Sequence, residues 1–225
     1  MATINYLCKG ALLLFIINLC SCTQYNYIDG GLANGVHDCS MWDYFKKQPR
    51  DWDSVMLMIE HAGMRDIFEG KSEYKQITFF GLTNYSIRRS MMDHNKNLDK
   101  DDPEYWHTIT DIPKRRCRDL LQRLVVPQRL MLVNIPPGKR LRKLQAGVST
   151  WEKVDGITLK AMRGTLFVWT QREDYHEVPN TGEISLWIAS DNQKNTDSQR
   201  VASTDIQTNN GVVMAMNNDY RFINI

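Results

Sequence analysis

The stretch TFFGLTN, residues 78–84, carries the signals that decide the fold of this chain. Phe79 and Phe80 are adjacent, so in a β-strand their side chains lie on opposite faces, and burial of both predicts a strand inside the core. Thr83 or Asn84 follows with a side-chain oxygen that caps the N-terminus of a helix. The stretch therefore predicts a buried strand that ends at Gly81 and leads directly into a helix.

Helical patterns are concentrated in the first half of the chain. A short helix is predicted from Met41, after N-cap candidates at residues 38–40, and Pro49 is expected to end it. The next helix has an apolar stripe that stops at Gly63, and a later one begins with Pro113 in its first turn. The two stripes consist of Val55, Met58, Ile59 and Ala62, and of Leu120, Leu121 and Leu124.

Runs of β-prone residues follow in the second half, separated by turn residues. They cover residues 130–133, 156–159, 166–169, 184–188 and 212–216. Helices followed by strands predict an α+β domain with a largely antiparallel sheet system. The 225 residues suffice for one such domain, and a formal net charge of +2 provides no basic excess for nucleic acid, which is therefore not an expected partner.

The beginning of the chain has the features of an export signal. Lys9 precedes an apolar run at residues 11–17 that is too short to span a bilayer. The following LCSC, residues 19–22, resembles the bacterial lipobox, which implies that a signal peptide at residues 1–21 is removed and that Cys22 carries a lipid. Cys20 fits the lipobox less well. An ordinary secretory signal, with Cys22 as a simple thiol, is the alternative.

A flexible tether is predicted at residues 22–37. Residues 23–37 contain three Gly and two Asn and have no helical or strand period. Without the signal peptide, and with Cys22 acylated, the folded part retains only Cys39 and Cys117. The cell envelope permits a disulfide between them, but two unpaired thiols are an equal alternative, because sequence separation does not reveal geometry.

Several stretches, in the correct order, resemble the fasciclin-like domain family. TFFGLTN is similar to the first family signature, and TDIQTNNGVV, residues 204–213, is similar to the last. Residues 120–127 resemble the helix that ends in a V-V-P turn, and residues 164–166 resemble a central strand. Two helices, at residues 42–47 and 54–63, resemble the pair that opens this domain. The resemblance implies one domain at residues 38–225, in which helices surround a wedge of two mainly antiparallel sheets.

The sequence also departs from the family pattern. Many fasciclin-like domains have a Tyr-His pair before the V-V-P turn and a His in the last strand, where this chain has Arg123, Leu124 and Met214. Gly81-Leu82 replaces an Ala-Pro of the first signature. Adhesion attributed to the Tyr-His pair therefore does not transfer to this chain. The polar segment at residues 171–198 is interpreted as an inserted loop or hairpin.

No constellation in the sequence predicts catalytic, cofactor-binding or metal-binding residues. The five histidines are scattered, and no nucleophile elbow, P-loop or zinc motif is present. A calcium-loop pattern at residues 95–101 lacks its turn glycine, because Lys100 stands in that position, and its closing Glu is replaced by Trp106. Its alternating polar residues are Asn95, Asn97, Asp99 and Asp101. Acidic residues at 99–104 and Glu173-Asp174 are expected to be solvated surface loops.

Two basic clusters and one aromatic group are candidates for ligand binding. Residues 114–118 and 139–143 are candidates for lipid headgroups, lipopolysaccharide or acidic glycans, with solvated surfaces as the simpler explanation. Their basic members are Lys114, Arg115, Arg116 and Arg118, and Lys139, Arg140, Arg142 and Lys143. A sugar-stacking platform is conceivable from Trp151, Trp169, Tyr175 and Trp187, although strand tryptophans more often pack in the core.

The sequence and the resemblance together predict a lipid-anchored, non-enzymatic protein of the bacterial outer membrane. It is expected to act in adhesion or in binding an extracellular protein or polysaccharide, and an outer-membrane transporter is a further candidate partner. One alternative is an enzyme that acts on surface glycans. Another is a passive structural subunit of an uptake or surface assembly. The sequence does not name a ligand.

Overall fold

The computed structural model describes residues 35–145, 148–176, 178–179, 181–190 and 198–221, without the side chains of residues 141–145 and 148–151. The predicted signal peptide, Cys22 and the tether as far as residue 34 lie outside the described residues. Among the residues that are described, no helix combines the length and apolar character needed to cross a membrane.

Five α-helices occupy the first half of the described chain, and the sequence predicts all of them except the short helix at Arg65–Phe68. They are α1 (Met41–Lys47), α2 (Pro49–Ala62), α3 (Arg65–Phe68), α4 (Asn84–Asn95) and α5 (Lys114–Leu124). Ser40 is the N-cap of α1, and Gly63 ends α2 in the left-handed conformation. Pro49, which the sequence predicts as the end of α1, is the first residue of α2. At the first position of a helix its missing N–H costs no helical hydrogen bond.

The strands form one large sheet and one small ribbon. They are β1 (Ile77–Gly81), β2 (Val125–Val126), β3 (Gly138–Gln145), β4 (Val148–Asp155), β5 (Ile157–Lys160), β6 (Thr165–Arg172), β7 (Ile184–Ser190), β8 (Gln199–Thr208) and β9 (Gly211–Met216). The order in the seven-stranded sheet is β2-β1-β9-β8-β7-β6-β5, and β3 pairs only with β4. All pairs are antiparallel except β1 with β9. The predicted α+β class with two mainly antiparallel sheets is confirmed.

Strand β1 lies in the centre of the core. All five of its residues are buried, and Phe79 and Phe80 are opposite Val213 and Met214 of β9. Phe79 contacts the ring of Phe68 edge-on, with 4.9 Å between centroids, on the side of the sheet covered by helices. The prediction from the two adjacent phenylalanines is therefore confirmed.

The side chain of Asn210, in the turn between β8 and β9, joins that turn to two helices. The backbone N–H of Met41, in the first turn of α1, donates to Asn210 Oδ1 at 2.7 Å. Asn210 Nδ2 donates to the carbonyl of Phe68, the last residue of α3, at 3.0 Å. Both ends of a buried amide are thus satisfied by helix termini that would otherwise lack partners.

Gly211, which follows, allows β9 to start directly against β1. A Cβ atom at this position would overlap the carbonyl oxygen of Ile77, so only glycine permits the parallel pairing of Ile77 with Gly211. The guanidinium of Arg129 also donates to the carbonyls of Thr208 and Gly211, at 3.1 and 3.2 Å. Both residues of the N-G pair in the last signature are therefore required: Asn210 hydrogen-bonds to two helices, and Gly211 allows β9 to pair with β1.

Thr78 joins β1 to the turn after the V-V-P stretch. Its hydroxyl donates to the carbonyl of Gln128 at 2.7 Å and accepts from the N–H of Leu130 at 2.9 Å. Backbone pairing of Thr78 with Val126 brings the same turn onto the edge of β1. One threonine side chain thus orients the segment that leaves α5.

Gly81 accounts for one departure from the family pattern. A Cβ atom here would lie 2.6 Å from the indole of Trp52, which is 2% exposed on α2. The glycine lets this ring pack directly against the end of β1. The replacement of an Ala-Pro is thus explained by a large neighbour on another helix.

The strand predicted at residues 130–133 is wrong. The structure has a 3₁₀ turn at Leu132–Asn134, in which Val133 is 87% exposed. The Asp205 carboxylate accepts from the Leu132 N–H at 2.7 Å, and the Asn134 side chain accepts from the Met131 N–H. The N–H groups of Asn134 and Ile135 donate within the turn, to the carbonyls of Met131 and Leu132, so local hydrogen bonds take the place of strand pairing.

The second basic cluster, residues 139–143, lies in strand β3 of the β3–β4 ribbon, where Lys139 is exposed and Arg140 is half-buried. The base of the ribbon is joined to β6 by a bridge between Pro137 and Thr170. Phe167 and Trp169 of β6 are buried in a small separate cluster, and the Lys153 ammonium lies 5.4 Å from the Phe167 ring. Of the two interpretations of the segment at 171–198, a hairpin is present: the end of β6 and all of β7 pair antiparallel within the large sheet.

Residues 35–37 also differ from the predicted tether. The His37 N–H donates to the Gln207 carbonyl at 2.9 Å, and the Gln207 N–H donates to the Gly35 carbonyl at 2.7 Å. These three residues therefore pair with the end of β8 instead of lying free. Pairing by backbone groups leaves little signal in the side chains, which is why composition alone assigned them to the tether.

The Asn210 junction predicts a large effect of one substitution. Asn210→Ala leaves the buried N–H of Met41 and carbonyl of Phe68 without partners, and we expect the free energy of unfolding to fall by about 3 kcal/mol. Urea denaturation followed by circular dichroism measures it. Asn209→Ala is the matched control, because this neighbour is exposed and its side chain bonds only Asp38. Equal effects of the two substitutions would contradict the proposed role.

The Thr78 hydroxyl gives a second stability prediction. Thr78→Val keeps the shape but removes both hydrogen bonds, and we expect a loss of about 2 kcal/mol in the free energy of unfolding. Thr78→Ser, which keeps the hydroxyl, should lose less. Thr158→Val on the exposed face of β5 is the control and should be nearly neutral. A Ser variant less stable than the Val variant would show that the methyl group matters more than the hydroxyl.

Candidate functional site

An open groove follows one side of α4 and is the best candidate for a ligand site among the described residues. It consists of two adjoining depressions of about 350 and 550 Å³ that share Tyr105 and His107. We name it the α4 groove. Its apolar end is lined by Ile87, Arg88, Met91, Met92, Trp106 and Ile109. Its acidic end is lined by Lys100, Asp101, Asp102, Pro103 and Asp111.

Helix α4 is positioned by the end of the buried strand β1. Thr83 accepts from the N–H of Ser86, whose hydroxyl in turn accepts from the N–H of Thr83, so the pair forms a capping box. Asn84 has a different role from the predicted cap. Its amide accepts from the N–H of Ser54 at 2.7 Å and donates to two carbonyls in the first turn of α2. This pairing connects α4 to α2, and Ser54 also lines the groove.

The other wall of the groove is a long loop between α4 and α5 that has little regular structure. Asn95, the last residue of α4, makes two hydrogen bonds to the backbone of Trp106, donating to its carbonyl and accepting from its N–H, each at 2.9 Å. His94 bonds the carbonyl of Glu104 at 3.0 Å. Loops of this length are uncommon in compact domains unless they are disordered or functional, and this one is firmly held.

Trp106 is the centre of the loop and is only 6% exposed. The His94 ring is stacked on the indole, with 3.5 Å between centroids and 10° between planes. The guanidinium of Arg116, on α5, lies 5.1 Å from the same ring. The indole thus forms part of the groove floor while being covered by two other side chains.

Asp111 fixes the part of the loop that carries His107. Its carboxylate accepts from the N–H groups of His107 and Thr108, at 2.9 and 2.7 Å. The N–H of Thr108 is the main cause that lowers the pKa of this carboxyl below its ordinary value. Since the pKa is lowered, the stabilisation is present at neutral pH and is lost as the pH falls through the folded-state pKa.

The calcium-loop pattern does not assemble a metal site. The Asn95 amide has both of its ends occupied by the Trp106 backbone, so it is not available as a ligand. Within the described residues, no group of three or more His, Cys, Asp or Glu side chains is arranged to hold a metal ion. Of the acidic residues in this pattern, Asp101 lines the open end of the α4 groove, whereas Asp99 does not.

The three described members of the aromatic group, Trp169, Tyr175 and Trp187, do not form a sugar platform. Trp169 is 3% exposed and stacks at 6.4 Å on half-buried Trp187, whose indole N–H donates to Ser185. Tyr175 is exposed in the turn region between β6 and β7. The side chain of Trp151 lies outside the described residues. The tryptophans that are described therefore serve packing.

The first basic cluster is used partly for structure. Arg118 Nε donates to the carbonyl of Ala62 at 2.9 Å, at the C-terminus of α2, and Arg116 contacts Trp106. Lys114 and Arg115 are exposed. In the second cluster, Lys139 and Arg140 lie at the base of the β3–β4 ribbon, and the side chains of Arg142 and Lys143 lie outside the described residues.

Of the three positions at which the sequence departs from the Tyr-His pattern, Leu124 and Met214 are buried and Arg123 is half-buried. Leu124 is 1% exposed, and Met214 is fully buried, with its sulfur accepting from the N–H of Asp205 at 3.4 Å. Neither side chain is available to a ligand. The sequence expectation that the Tyr-His function does not transfer is consistent with these positions, and the α4 groove involves different residues.

Sequence reasoning did not find the α4 groove. In the sequence, Asn95 and Trp106 stand out only as members of a calcium-loop pattern. An Asn eleven residues before a Trp is not a recognisable signal that the two residues are in contact. The polar stretch from residue 95 to residue 104 was the available clue, since a long polar loop beside an amphipathic helix is a frequent place for binding residues. The contact itself depends on tertiary structure.

The two cysteines of the domain are free thiols. Cys117 is buried, and its burial raises the pKa of the thiol to about 11, so the thiolate is scarce at neutral pH. Cys39 is half-buried at the start of the domain. Of the two alternatives that the sequence leaves open, the structure has unpaired thiols.

The two thiols are expected to differ in reactivity. With Ellman's reagent at pH 8, Cys39→Ser should remove a fast-reacting thiol from the full chain, whereas Cys117→Ser should leave the fast phase unchanged. In denaturant both substitutions should remove one reactive thiol. A fast reaction of Cys117 in the native protein, or a disulfide found by intact mass under non-reducing conditions, would contradict the structure.

Comparison with known proteins identifies the fold. No family model matches the chain, and no curated protein matches it. Among solved structures, it is similar to a pair of FAS1 domains from the insect cell adhesion molecule fasciclin I, with a TM-score of 0.53 at 11% sequence identity. The match covers 82% of this chain and 50% of that one, so the chain spans about half the length of the domain pair. The chain therefore has a fasciclin-like fold.

Proposed function

We propose that this chain is a lipid-anchored protein of the bacterial outer membrane that binds an extracellular protein or polysaccharide without catalysing a reaction. The lipid attached to Cys22 would determine its location. The segment between Cys22 and the folded domain would set the distance from the membrane. An outer-membrane transporter remains a candidate partner in the same envelope.

The α4 groove is the observation that carries the binding part of this proposal. It is open, it combines exposed apolar side chains with carboxylates, and its loop is held by side-chain hydrogen bonds. A preformed surface of this kind binds a ligand without an added cost of loop ordering. The fold supports the same conclusion, because the similar insect protein is a cell adhesion molecule.

The Asp111 carboxylate of the groove is unsuited to act as the general acid in glycan hydrolysis. Glycoside hydrolysis needs one carboxyl with a raised pKa to act as general acid. Asp111 has a lowered pKa because backbone N–H groups donate to its carboxylate. This ionised, hydrogen-bonded group has a structural role, which favours binding over an enzymatic function.

The location is tested by replacing the proposed lipid attachment residue. Cys22→Ala should abolish metabolic labelling with palmitate and should release the protein from the membrane fraction, since no thioether can form. Cys20→Ala is the matched control and should leave labelling unchanged. Retained labelling of the Cys22→Ala variant would disprove the lipobox assignment, whether or not the domain binds a ligand.

A further inference from the structure

We infer that the α4 groove takes an extended peptide segment, with a basic side chain at its acidic end and an apolar side chain at its apolar end. This inference names the ligand class of the binding function proposed above and rests on it. It is independent of the lipid anchor. Three properties of the groove support it: its charge, its exposed apolar surface and the coverage of its only tryptophan.

The acidic end has carboxylate oxygens that are available to a cation. The Asp101 side chain has no partner in the described part of the chain, and Asp102 uses only Oδ1, which accepts from the N–H of Glu104 at 2.8 Å. Asp111 adds a third carboxylate, against one cation at this end, Lys100, and the exposed Arg88 at the other end of the groove. The surplus negative charge is complementary to a Lys or Arg side chain.

The apolar end exposes flexible hydrophobic side chains. Met92 is 60% exposed, and Met91 and the buried Ile87 line the same depression. Tyr85, which is 51% exposed, lies two turns before Met92 on the same side of α4, so apolar surface continues beyond the groove. Methionine side chains adapt to apolar partners of different shapes, as is common in peptide-binding surfaces.

The aromatic residues favour a peptide over a saccharide. A sugar ring is usually bound on a bare aromatic face, but the indole of Trp106 is covered by His94 at 3.5 Å and is 6% exposed. The Tyr105 ring is likewise 4.7 Å from the His107 ring. Hydroxyl groups of a sugar would suit the carboxylates but would leave the methionine surface without an apolar partner.

The inference is tested with matched short peptides and the purified full chain in a non-ionic detergent. The probe is a fluorescently labelled peptide of alternating Lys and Leu, compared with one that has Glu for Lys and one that has Ser for Leu. Fluorescence anisotropy should show binding of the Lys-Leu peptide that weakens as salt rises. Both other peptides should bind at least about tenfold more weakly.

Variants assign the binding to the two ends of the groove. The double change Asp101→Asn and Asp102→Asn should weaken the Lys-Leu peptide about tenfold and reduce the salt dependence, and Met92→Ser should weaken it without changing that dependence. Asp99→Asn and Tyr175→Ser are matched controls, since both residues are exposed and neither lines the groove. Urea denaturation verifies that each variant is as stable as the parent.

Several outcomes would overturn the inference. Equal binding of the Glu-Leu peptide, or unchanged binding by the double Asp variant, would exclude the acidic end as a cation site. If a neutral oligosaccharide bound to the protein and Met92→Ser abolished that binding, the groove would be a glycan site. The peptide inference would then be wrong, and the proposed binding function would stand. Failure of the Lys-Leu peptide to bind at all would also reject the inference, whereas binding of neither peptides nor oligosaccharides would reject the binding function itself.

Discussion

The hydrogen bonds of the Asn210 side chain are the interaction on which the rest of the structure depends. The buried amide of Asn210 binds the first turn of α1 and the last carbonyl of α3. The following Gly211 lets β9 start against β1, where any Cβ would overlap the Ile77 carbonyl. The last hairpin of the chain therefore determines where its first helices and its central strand meet.

The position of the central strand β1 fixes the start of α4 and therefore the position of the α4 groove. β1 ends where Thr83 caps α4, and the Asn84 amide connects the same turn to α2. At the other end of α4, Asn95 holds the loop through the backbone of Trp106. The groove is thus built on a helix whose two ends are both fixed, which limits how far its walls can separate.

The structure also separates side chains with a structural role from those available to a ligand. Arg118 binds the end of α2, Arg116 covers Trp106, and Trp169 packs against Phe167 and Trp187, although each belongs to a group that the sequence makes a binding candidate. Charge and aromaticity alone do not show this difference. Exposure and hydrogen-bond partners do, and they favour Asp101 and Met92 as contact residues.

The sequence by itself determined the features that depend on near neighbours. The buried strand at residues 78–84, the Thr83 cap and the stop at Gly63 are each specified by a few adjacent residues, and all are present. The strand predicted at 130–133 is a 3₁₀ turn, and the β3–β4 ribbon at 138–155 is not predicted, because strand formation depends on pairing with another segment as well as on local propensity. The groove, too, was decided only by tertiary structure, since its walls come from α4 and a loop whose contacts are set by packing rather than by local sequence pattern.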